Sequence, residues 1–538
     1  MKTNNVEIFE IKISKPMKKI KILNCFIPAL FLFFLLGCSD SFLEQTNTSS
    51  VNESTLFHDA EDGYALVTGI YSTFHDVNYM LKGIWFTANF LSQDFKNWGS
   101  DSFFATYEVP TSFDPLNIFW SRNYIGIARV NSAIPILTNM IEQGFLTEKE
   151  GNQLIGECYF LRGLFYYYLA ADFGGVPLEL EVVTDDGRHP RNTQDEVFVS
   201  VASDMDKAAG LLPWKQDQPE TDRGRATKGA ALAYQGDALM WLKKYDEAAA
   251  VYKQLDSRYE LEENFINIHE TDHRNGKESI FEVQFTTYGN MSWGAFGVNN
   301  QWISSFGMPE EISGFGYAYA DKSLYDSFES GDQRKRATVI GPGDEHASPA
   351  INISIYPKVI ATYTDENGVT INTLGTMEKP WKGSDNGRSG YYGIKYWRNP
   401  DICGNKGLSY FMSPDNIMMM RYGQVLLSEA EALYRSGDSG GAMTLVQKIR
   451  DRAFGKLADP AVVVPSPKET DVIKIILDEY RHELAGETSL WFVLRRSGEH
   501  LQYVKDKFGI TVPSGKDLMP IPQTQIGLNP ELKQNPGY

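Results

Sequence analysis

The sequence predicts a mainly α-helical fold, an α/α superhelix of tetratricopeptide-like helical hairpins with a loop-rich half that carries short strands. Three observations support this prediction. Long segments repeat their apolar residues with the 3.6-residue period of a helix. Two segments place small and aromatic residues at tetratricopeptide spacings. Residues 260–410 are instead rich in Gly, Asn, Ser and aromatic residues, and they contain only short strand-like runs such as "SIFEVQF".

The chain begins with a segment typical of a secretory signal. Four Lys residues between positions 15 and 21 precede an apolar run at 27–36, which is shorter than the about 20 residues that a membrane span requires. The run ends in "LLGC", the pattern of a bacterial lipobox. We expect residues 1–37 to be removed, the Cys38 thiol to be acylated, and residues 38–55 to form the anchor and a flexible leash. An ordinary signal peptide with a chance cysteine is the alternative.

Charge and cysteine content narrow the classes of partner. The formal net charge is -18, and residues 1–37 hold six Lys but only two Glu, so the remaining chain is more acidic still. Nucleic acid is not an expected partner, because binding phosphates requires a basic surface. Beyond the leader and Cys38, the chain has only Cys158 and Cys403, which does not indicate a disulfide framework. Cys158 lies in an apolar helical run and is predicted to be a core residue.

Three long segments before residue 212 predict helices. The second of them, within residues 152–178, is expected to end at Gly174, because the glycines there and Pro177 stop a helix. The third is expected to begin at Thr193, which forms a capping-box pattern with Glu196. The first, residues 116–140, is expected to have one apolar stripe, which consists of Phe119, Ile125, Ala128, Ile134 and Leu137.

Two later segments have the pattern of tetratricopeptide hairpins, 227–257 and 425–453. The residues in register are Gly236, Leu239, Ala248 and Tyr252 in the first, and Ala430, Leu433 and Ala442 in the second. Small residues let two antiparallel helices approach, and such hairpins bury their faces by stacking. Two unrelated helical hairpins are the alternative. We therefore divide the chain after the leash into an N-terminal helical region, 56–260, and a C-terminal region, 261–538, with the loop-rich ligand region and the last helices.

The segment "HETDH", from His269 to His273, matches the H-E-x-x-H motif of zinc proteases. That motif binds zinc when it lies on a helix, because both imidazoles then reach one metal ion. Here Asn275-Gly276 gives a strong turn signal directly before the strand-like "SIFEVQF". We therefore predict a loop before a strand. No other catalytic, metal-binding or cofactor motif is predicted, although paired carboxylates of a glycosidase would leave no motif of their own.

Tryptophans in polar loops are the candidate ligand-binding residues. The candidate set is Asn97, Trp98, Asp101, Trp293, Asn300 and Trp302. The three tryptophans lie among Gly, Ser and Asn, and their spacing in the sequence lacks the helical or alternating period of core residues. The C–H faces of sugar rings pack on an indole, while amide and carboxylate groups orient the hydroxyls. The alternative is that the rings fill gaps beneath long loops.

The chain resembles the SusD/RagB family of outer-membrane nutrient-binding lipoproteins along nearly its whole length after the signal. The similarity is carried by "LGCSDSFLEQ", "ECYFLRGLFYYYLAADFGGVPL", "FESGDQRKRATVI", "MMMRYGQVLLSEAEALYRSGD", "DEYRHELAGETSLWFVLRRSG" and the final "LMPIPQTQIGLNPELKQNPGY". Two positions depart from the family pattern. Gly163 follows Arg162 where family members often have Ala, and Gly486 occupies a position where a bulky residue is frequent.

The resemblance implies both a fold and a role. It implies a tetratricopeptide scaffold under variable loops, in a protein that captures glycan fragments above a TonB-dependent β-barrel transporter and passes them inward without catalysis. It also implies structural roles for Arg162, Arg481, Trp491 and Arg495. The family's sugar contacts share no motif, so none is transferred to this chain.

We therefore expect an oligosaccharide-binding lipoprotein of the outer membrane that faces the cell exterior, with no cofactor, metal or catalytic residue. A peptide cargo and a surface glycoside hydrolase are the alternatives.

Overall fold

The computed structural model describes residues 57–99, 101–286, 302–312, 314–348, 351, 361–364, 368, 370–373, 388–397, 413 and 415–538. Phe57–Tyr538 forms one compact unit. Cys38 and the predicted signal and leash, as well as Cys403, Trp293 and Asn300, lie outside the described residues. Within the described ranges, no helix is both long enough and apolar enough to cross a membrane.

Helices make up most of the described chain, as the sequence predicts. They are α1 (Ala60–Tyr71), α2 (Phe86–Phe90), α3 (Asp114–Glu142), α4 (Glu148–Phe173), α5 (Gln194–Leu211), α6 (Lys228–Trp241), α7 (Tyr245–Tyr252), α8 (Ile303–Gly307), α9 (Lys322–Ser327), α10 (Arg334–Thr338), α11 (Tyr422–Arg435), α12 (Ser439–Ala453), α13 (Val472–Leu484), α14 (Leu490–Ser497), α15 (His500–Phe508) and α16 (Gln523–Leu528). A π-helix, Asn78–Trp85, runs directly into α2.

The strands form short antiparallel pairs. They are β1 (Phe95–Asn97), β2 (Ser279–Val283), β3 (Ala318–Ala320), β4 (Val339–Ile340), β5 (Ala361–Thr364), β6 (Thr370–Thr373), β7 (Tyr392–Gly393) and β8 (Ile417–Arg421). Within the described residues the pairs are β1–β3, β2–β8, β4–β7 and β5–β6. The loop-rich half therefore has strands of only two to five residues, as its composition predicts.

The ends of the long helices follow the expected signals. Thr193 caps α5, and Glu196 completes the capping box by accepting from the Thr193 backbone. Helix α4 ends at Gly174, whose φ of +75° is a conformation that glycine adopts without strain. Cys158 is buried within α4 as a free thiol, as predicted.

The apolar stripe predicted for α3 is partly wrong. Phe119 is buried, but Ile125 and Ala128 are exposed. Steps of six residues turn a helix through 600°, which moves the side chain away from the starting face. The buried face runs instead through Ile127 and Val130, which follow the three- and four-residue spacings of a packed face.

Both predicted hairpins are present and pack together. In the first, α6 and α7 approach so closely at Gly236 that a Cβ there would lie 2.4 Å from the ring of Tyr252. In the second, Ala430 of α11 and Ala442 of α12 are both buried. Helix α7 packs against α11 and thereby joins the two hairpins. Small residues at these positions thus permit the close helix contacts that tetratricopeptide spacing predicts.

A buried group of charges joins β2 and β8 to α10, α12 and α13. We call it the arginine cluster, and its members are Arg334, Arg421, Arg452, Lys395, Glu278, Glu479, Glu483 and Glu487. The Arg421 guanidinium lies 2.8 Å from a carboxylate oxygen of Glu487, 2.8 Å from one of Glu278 and 2.6 Å from one of Glu483. Buried charges are tolerated only when paired and hydrogen-bonded, which this geometry achieves.

Candidate ligand-binding site

Pairing of β1 with β3 places Trp98 next to Tyr317. Asn97 pairs with Ala318 in the strand register, and the backbone N–H of Trp98 donates to the carbonyl of Tyr317 at 3.3 Å. The two rings lie 5.6 Å apart at an angle of 52°. Two segments more than 200 residues apart in sequence therefore form one aromatic surface.

Buried polar contacts fix strand β1, which directly precedes Trp98. The Arg481 guanidinium lies 2.7 Å from a carboxylate oxygen of Asp94, the residue before β1. The Asp94 carbonyl accepts from the backbone N–H of Asp321, just after β3. The contact with Asp94 agrees with the structural role that the resemblance implies for Arg481. Through it, this arginine links α13 to β1 and β3.

The turn that follows α13 is hydrogen-bonded to residues that precede β1. The Trp85 indole donates to the Gly486 carbonyl at 2.8 Å, and the Asn89 amide donates to the Glu487 carbonyl at 2.7 Å. The Asn89 oxygen also accepts from the Gly486 N–H. Gly486 has a φ of +85°, a left-handed backbone that a side chain would strain. The departure from the family pattern at this position thus has a conformational reason.

The indole of Trp98 is held in a defined orientation. Its Nε1–H donates to the Gly316 carbonyl at 3.0 Å, and the Arg388 guanidinium carbon lies 4.9 Å from the ring centroid. Arg388 is itself fixed by an ion pair with Glu310 at 2.9 Å. The Trp98 side chain nevertheless remains 39% exposed. The indole of Trp98 is thus held by a hydrogen bond and a cation–π contact, while part of the residue stays accessible to solvent.

Asp101 connects the loop after Trp98 to Tyr317. The Tyr317 hydroxyl donates to an Asp101 carboxylate oxygen at 2.6 Å, and the Lys82 ammonium lies 3.2 Å from the same oxygen. Burial and the neighbouring Asp101 carboxylate raise the pKa of Tyr317, so its hydroxyl stays protonated and continues to donate. We call Lys82, Trp98, Asp101, Glu310, Tyr317 and Arg388 the Trp98 surface.

The other candidates from the sequence have different environments. Asn97 and Asp101 are buried, with exposed fractions of 5% and 3%, so they support the surface from inside. Trp302 is 3% exposed, and its ring packs edge-on against Phe306, 6.5 Å away. In this structure Trp302 therefore offers no open face to a ligand. Trp293 and Asn300 lie outside the described residues and remain predictions.

Sequence reasoning did not identify Lys82, Glu310, Tyr317 or Arg388. Each lies in a different part of the chain and joins the surface only through the β1–β3 pairing and long-range ion pairs. No local pattern marks them. The sequence holds only a weak signal for Tyr317: "GFGYAYA" at 314–320 places aromatic residues at alternate positions of a short strand.

The "HETDH" segment does not form a zinc-protease helix. It is split between two 3₁₀ helices, Phe265–His269 and Thr271–His273, and Glu270 between them has an extended backbone. His269 is buried, and its Nε2 lies 3.4 Å from Glu487 of the arginine cluster. Across the described residues, no group of three His, Cys, Asp or Glu side chains has the geometry of a metal site. Strand β2 follows the segment, as the sequence predicts.

A large groove lies elsewhere, on the helical scaffold. Its volume is about 850 Å³, and segments 215–227, 256–260 and 275–282 line it. Two charged groups at its wall are already hydrogen-bonded: the Lys215 ammonium donates to two backbone carbonyls, and Asp256 accepts from the Tyr422 hydroxyl. Phe281 and Tyr259 reach its wall but are buried. The wall of the groove therefore has no exposed aromatic residue.

Two family models match the chain. One, described as the SusD family, matches residues 259–538, which is more than half of the chain. The other, described as starch-binding associating with outer membrane, matches residues 41–236. The matched ranges include both β1 and β3 and therefore both halves of the Trp98 surface.

A curated relative and several solved structures are similar over their full lengths. A SusD-like protein of Formosa agariphila is 23% identical, with 97% of this chain and 100% of the relative covered. A laminarin-binding SusD-like protein is 22% identical, with a TM-score of 0.71 over 90% of this chain and 100% of that chain. Surface glycan-binding protein A of Bacteroides thetaiotaomicron, solved in complex with laminarihexaose, is 19% identical, with a TM-score of 0.68 over 88% and 99%. At sequence identities of 22% and 19%, similarity to these solved structures shows a shared fold and nothing about the ligand of this chain.

Proposed function

The chain belongs to the SusD family, and we propose that it binds oligosaccharide at the outer membrane through the Trp98 surface and has no catalytic step. One protein of the same fold is a laminarin-binding SusD-like protein, and another was solved in complex with laminarihexaose. These ligands are those of the similar proteins, and they support carbohydrate as the ligand class of this chain.

The observation that carries this proposal is the half-open indole of Trp98. Its ring is held by Gly316 and Arg388, so little conformational freedom is lost when a ligand stacks on it. Glu310, whose side chain is 37% exposed, offers an acceptor for hydroxyl groups at the same edge. Trp293 and Asn300 belong to the proposal as further contacts on the strength of the sequence alone.

The expected acylation of Cys38 completes the proposed role. A chain tethered by lipid and facing outward would meet glycans before a β-barrel transporter does, and we propose a TonB-dependent transporter as its partner. Replacing Cys38 with Ala should release the protein from the membrane fraction, whereas Ser39→Ala should not. Retention of the Cys38→Ala variant in the membrane fraction would overturn the anchor.

A binding role agrees with the chemistry of the site better than an enzymatic role does. The carboxylates of the Trp98 surface, Asp101 and Glu310, are each in an ion pair. The zinc motif is divided between two short helices with an extended residue between them. Peptide cargo is the second candidate, because an indole also accepts apolar side chains.

A combined array of glycans and peptides, probed with the chain from residue 39, tests the proposal. The expected result is retention on glycan spots and recovery of the bound glycan at its original length. Retention on peptides alone would show that the cargo is peptide. Release of shortened glycan by the purified protein would show that the protein hydrolyses glycan and does not only bind it.

A further inference from the structure

The Trp98 surface adjoins a second pair of aromatic rings on its Lys82 side. The Lys82 ammonium, which lies 3.2 Å from the Asp101 carboxylate, is also 5.7 Å from the centroid of the Phe113 ring. Phe113 packs edge-on against Phe103, with 4.8 Å between the ring centroids. We call Phe103 and Phe113 the phenylalanine pair. Lys82 therefore lies against both the Trp98 surface and this pair.

Both rings of the phenylalanine pair are half-buried. Phe104 is fully buried, and its ring centroid lies 5.4 Å from that of Phe103 and 5.8 Å from that of Phe113. The pair thus rests on a core ring, while part of each of its two residues stays accessible to solvent. Aromatic residues that reach the surface beside a proposed sugar site offer further packing area for sugar C–H faces.

The loop that carries the phenylalanine pair, residues 101–113, is held to the rest of the protein by hydrogen bonds. The Tyr107 hydroxyl donates to the carbonyl of Leu91, just after α2, at 2.7 Å. The Thr111 carbonyl accepts from the backbone N–H of Gln523, the first residue of α16, at 2.9 Å. Rings on a loop that is already fixed lose little conformational freedom when a ligand packs against them.

Lys82 supplies a polar group between the two sets of rings. In its ion pair with Asp101, the lysine side chain is 21% exposed and the aspartate side chain only 4%, so the lysine is the partner that reaches solvent. An ammonium has three N–H donors, which suit the hydroxyl oxygens of a sugar. Aromatic faces on either side of such a donor match the alternating apolar and polar character of an oligosaccharide.

We propose that the phenylalanine pair is a second binding subsite for the same oligosaccharide, with Lys82 between it and Trp98. This inference rests on the proposed function and adds ligand length to it. A short oligosaccharide contacts the Trp98 surface alone, whereas a longer one also packs on the pair. The longer ligand binds more tightly, because its second contact is made within a complex that has already formed.

Titration calorimetry with the chain from residue 39 tests this subsite. The probes are members of one neutral oligosaccharide series retained on the glycan array: the shortest member that binds, and the octasaccharide. The octasaccharide should bind at least about five-fold more tightly than the short member. Phe113→Leu removes the ring but keeps an apolar side chain. It should weaken octasaccharide binding by at least about five-fold and binding of the short member by less than about two-fold.

Three further variants sharpen the test. Phe103→Ala should also weaken binding of the octasaccharide selectively, because it removes the other ring of the pair. Trp98→Ala should weaken binding of both probes, since both contact the indole. Phe145→Ala is the control for the loss of a solvent-accessible ring: Phe145 is 38% exposed in the turn after α3, and both affinities should equal those of the parent chain. Urea denaturation checks that each variant is folded.

The outcomes separate this inference from the proposed function. If Phe113→Leu and Phe103→Ala weaken binding of both probes equally, the pair only supports the Trp98 surface, and the second subsite is overturned while glycan binding stands. Unchanged affinity for the octasaccharide in both variants overturns the subsite in the same way. If no oligosaccharide of any length binds, the proposed function is overturned together with it.

Discussion

The arginine cluster and the Trp98 surface are built from the same contacts at different depths. In the cluster, the Arg452 guanidinium lies 4.7 Å from the ring of Phe265 and pairs with Glu278. At the surface, the Arg388 guanidinium lies 4.9 Å from the ring of Trp98 and pairs with Glu310. Phe265 is 0% exposed, whereas Trp98 is 39% exposed.

The comparison teaches that burial decides what such a contact does. Inside the protein, the ring and the carboxylates are buried, so removing one charged partner leaves the others buried with an unbalanced charge. At the surface, the same arrangement leaves Trp98 partly accessible to solvent, and we propose that the held ring contacts the ligand. Substitutions in the two regions should therefore affect different measurements.

The largest expected effect comes from Arg421 in the cluster. Arg421→Met removes the cation that contacts Glu278, Glu483 and Glu487 together, so the four buried carboxylates of the cluster outnumber its three remaining cations, which should lower the free energy of unfolding by about 3–5 kcal/mol. Urea denaturation followed by circular dichroism measures the change. Arg223→Met is the control, because its exposed pair with Glu220 should contribute at most about 1 kcal/mol. Equal losses in both variants would contradict the contrast.

The next effect is a pH dependence of the cluster. Burial alone would raise the pKa of Glu487, but the positive charges of Arg421 and Lys395 outweigh it and hold the pKa well below its usual value. A carboxyl whose folded pKa is lowered contributes stability above its unfolded pKa of about 4.3, and that contribution is lost as pH falls toward the folded pKa.

The cost of Glu487→Gln should therefore depend on pH. It should be constant from about pH 7 to pH 5 and then shrink by up to about 1.4 kcal/mol for each unit of pH below the unfolded pKa. Denaturation midpoints of the parent and the variant across this range give the measurement. A cost that grows as the solution is acidified would show that Glu487 is not held ionised in the folded protein.

A smaller effect is expected at the surface, and it should appear in binding. Trp98→Ala should weaken glycan binding by roughly 1–3 kcal/mol, if stacking of sugars here resembles stacking of bases on aromatic rings. Its unfolding free energy should fall by less than that of Arg421→Met, because Trp98 is already 39% exposed. Phe145→Ala is the matched control: Phe145 is 38% exposed in the turn after α3, and its loss should leave binding intact.

The smallest effect should come from an ion pair that belongs to neither region. Lys322 and Asp326 pair across one turn of α9, and their side chains are 58% and 53% exposed. Asp326→Asn should change the free energy of unfolding by less than about 0.5 kcal/mol, because solvent screens such a pair. If Asp326→Asn lowered the free energy of unfolding as much as Arg421→Met does, burial would not explain the difference between buried and exposed ion pairs.

Local sequence signals predicted the scaffold well. The capping box at Thr193, the glycine at the end of α4 and the small residues of the hairpins act within one or two turns, so the sequence alone reveals them. The stripe in α3 was wrong at Ile125 and Ala128, because six-residue steps do not return to the same face of a helix.

The charged contacts were not predictable in this way. Arg421 meets Glu278 and Glu483 across more than 60 residues of chain, and no spacing rule links such positions. For the same reason, the loop composition pointed to Trp98 but could not indicate that Arg388 and Tyr317 lie against it. Nor could composition distinguish the half-exposed Trp98 from the buried Trp302.

A crystal structure of the chain from residue 39 with a neutral oligosaccharide tests the central claim most directly. We predict a sugar ring within about 4 Å of the Trp98 indole and a hydroxyl group that donates to Glu310. Sugar bound instead in the scaffold groove beside Lys215, with Trp98 still open to solvent, would contradict the account.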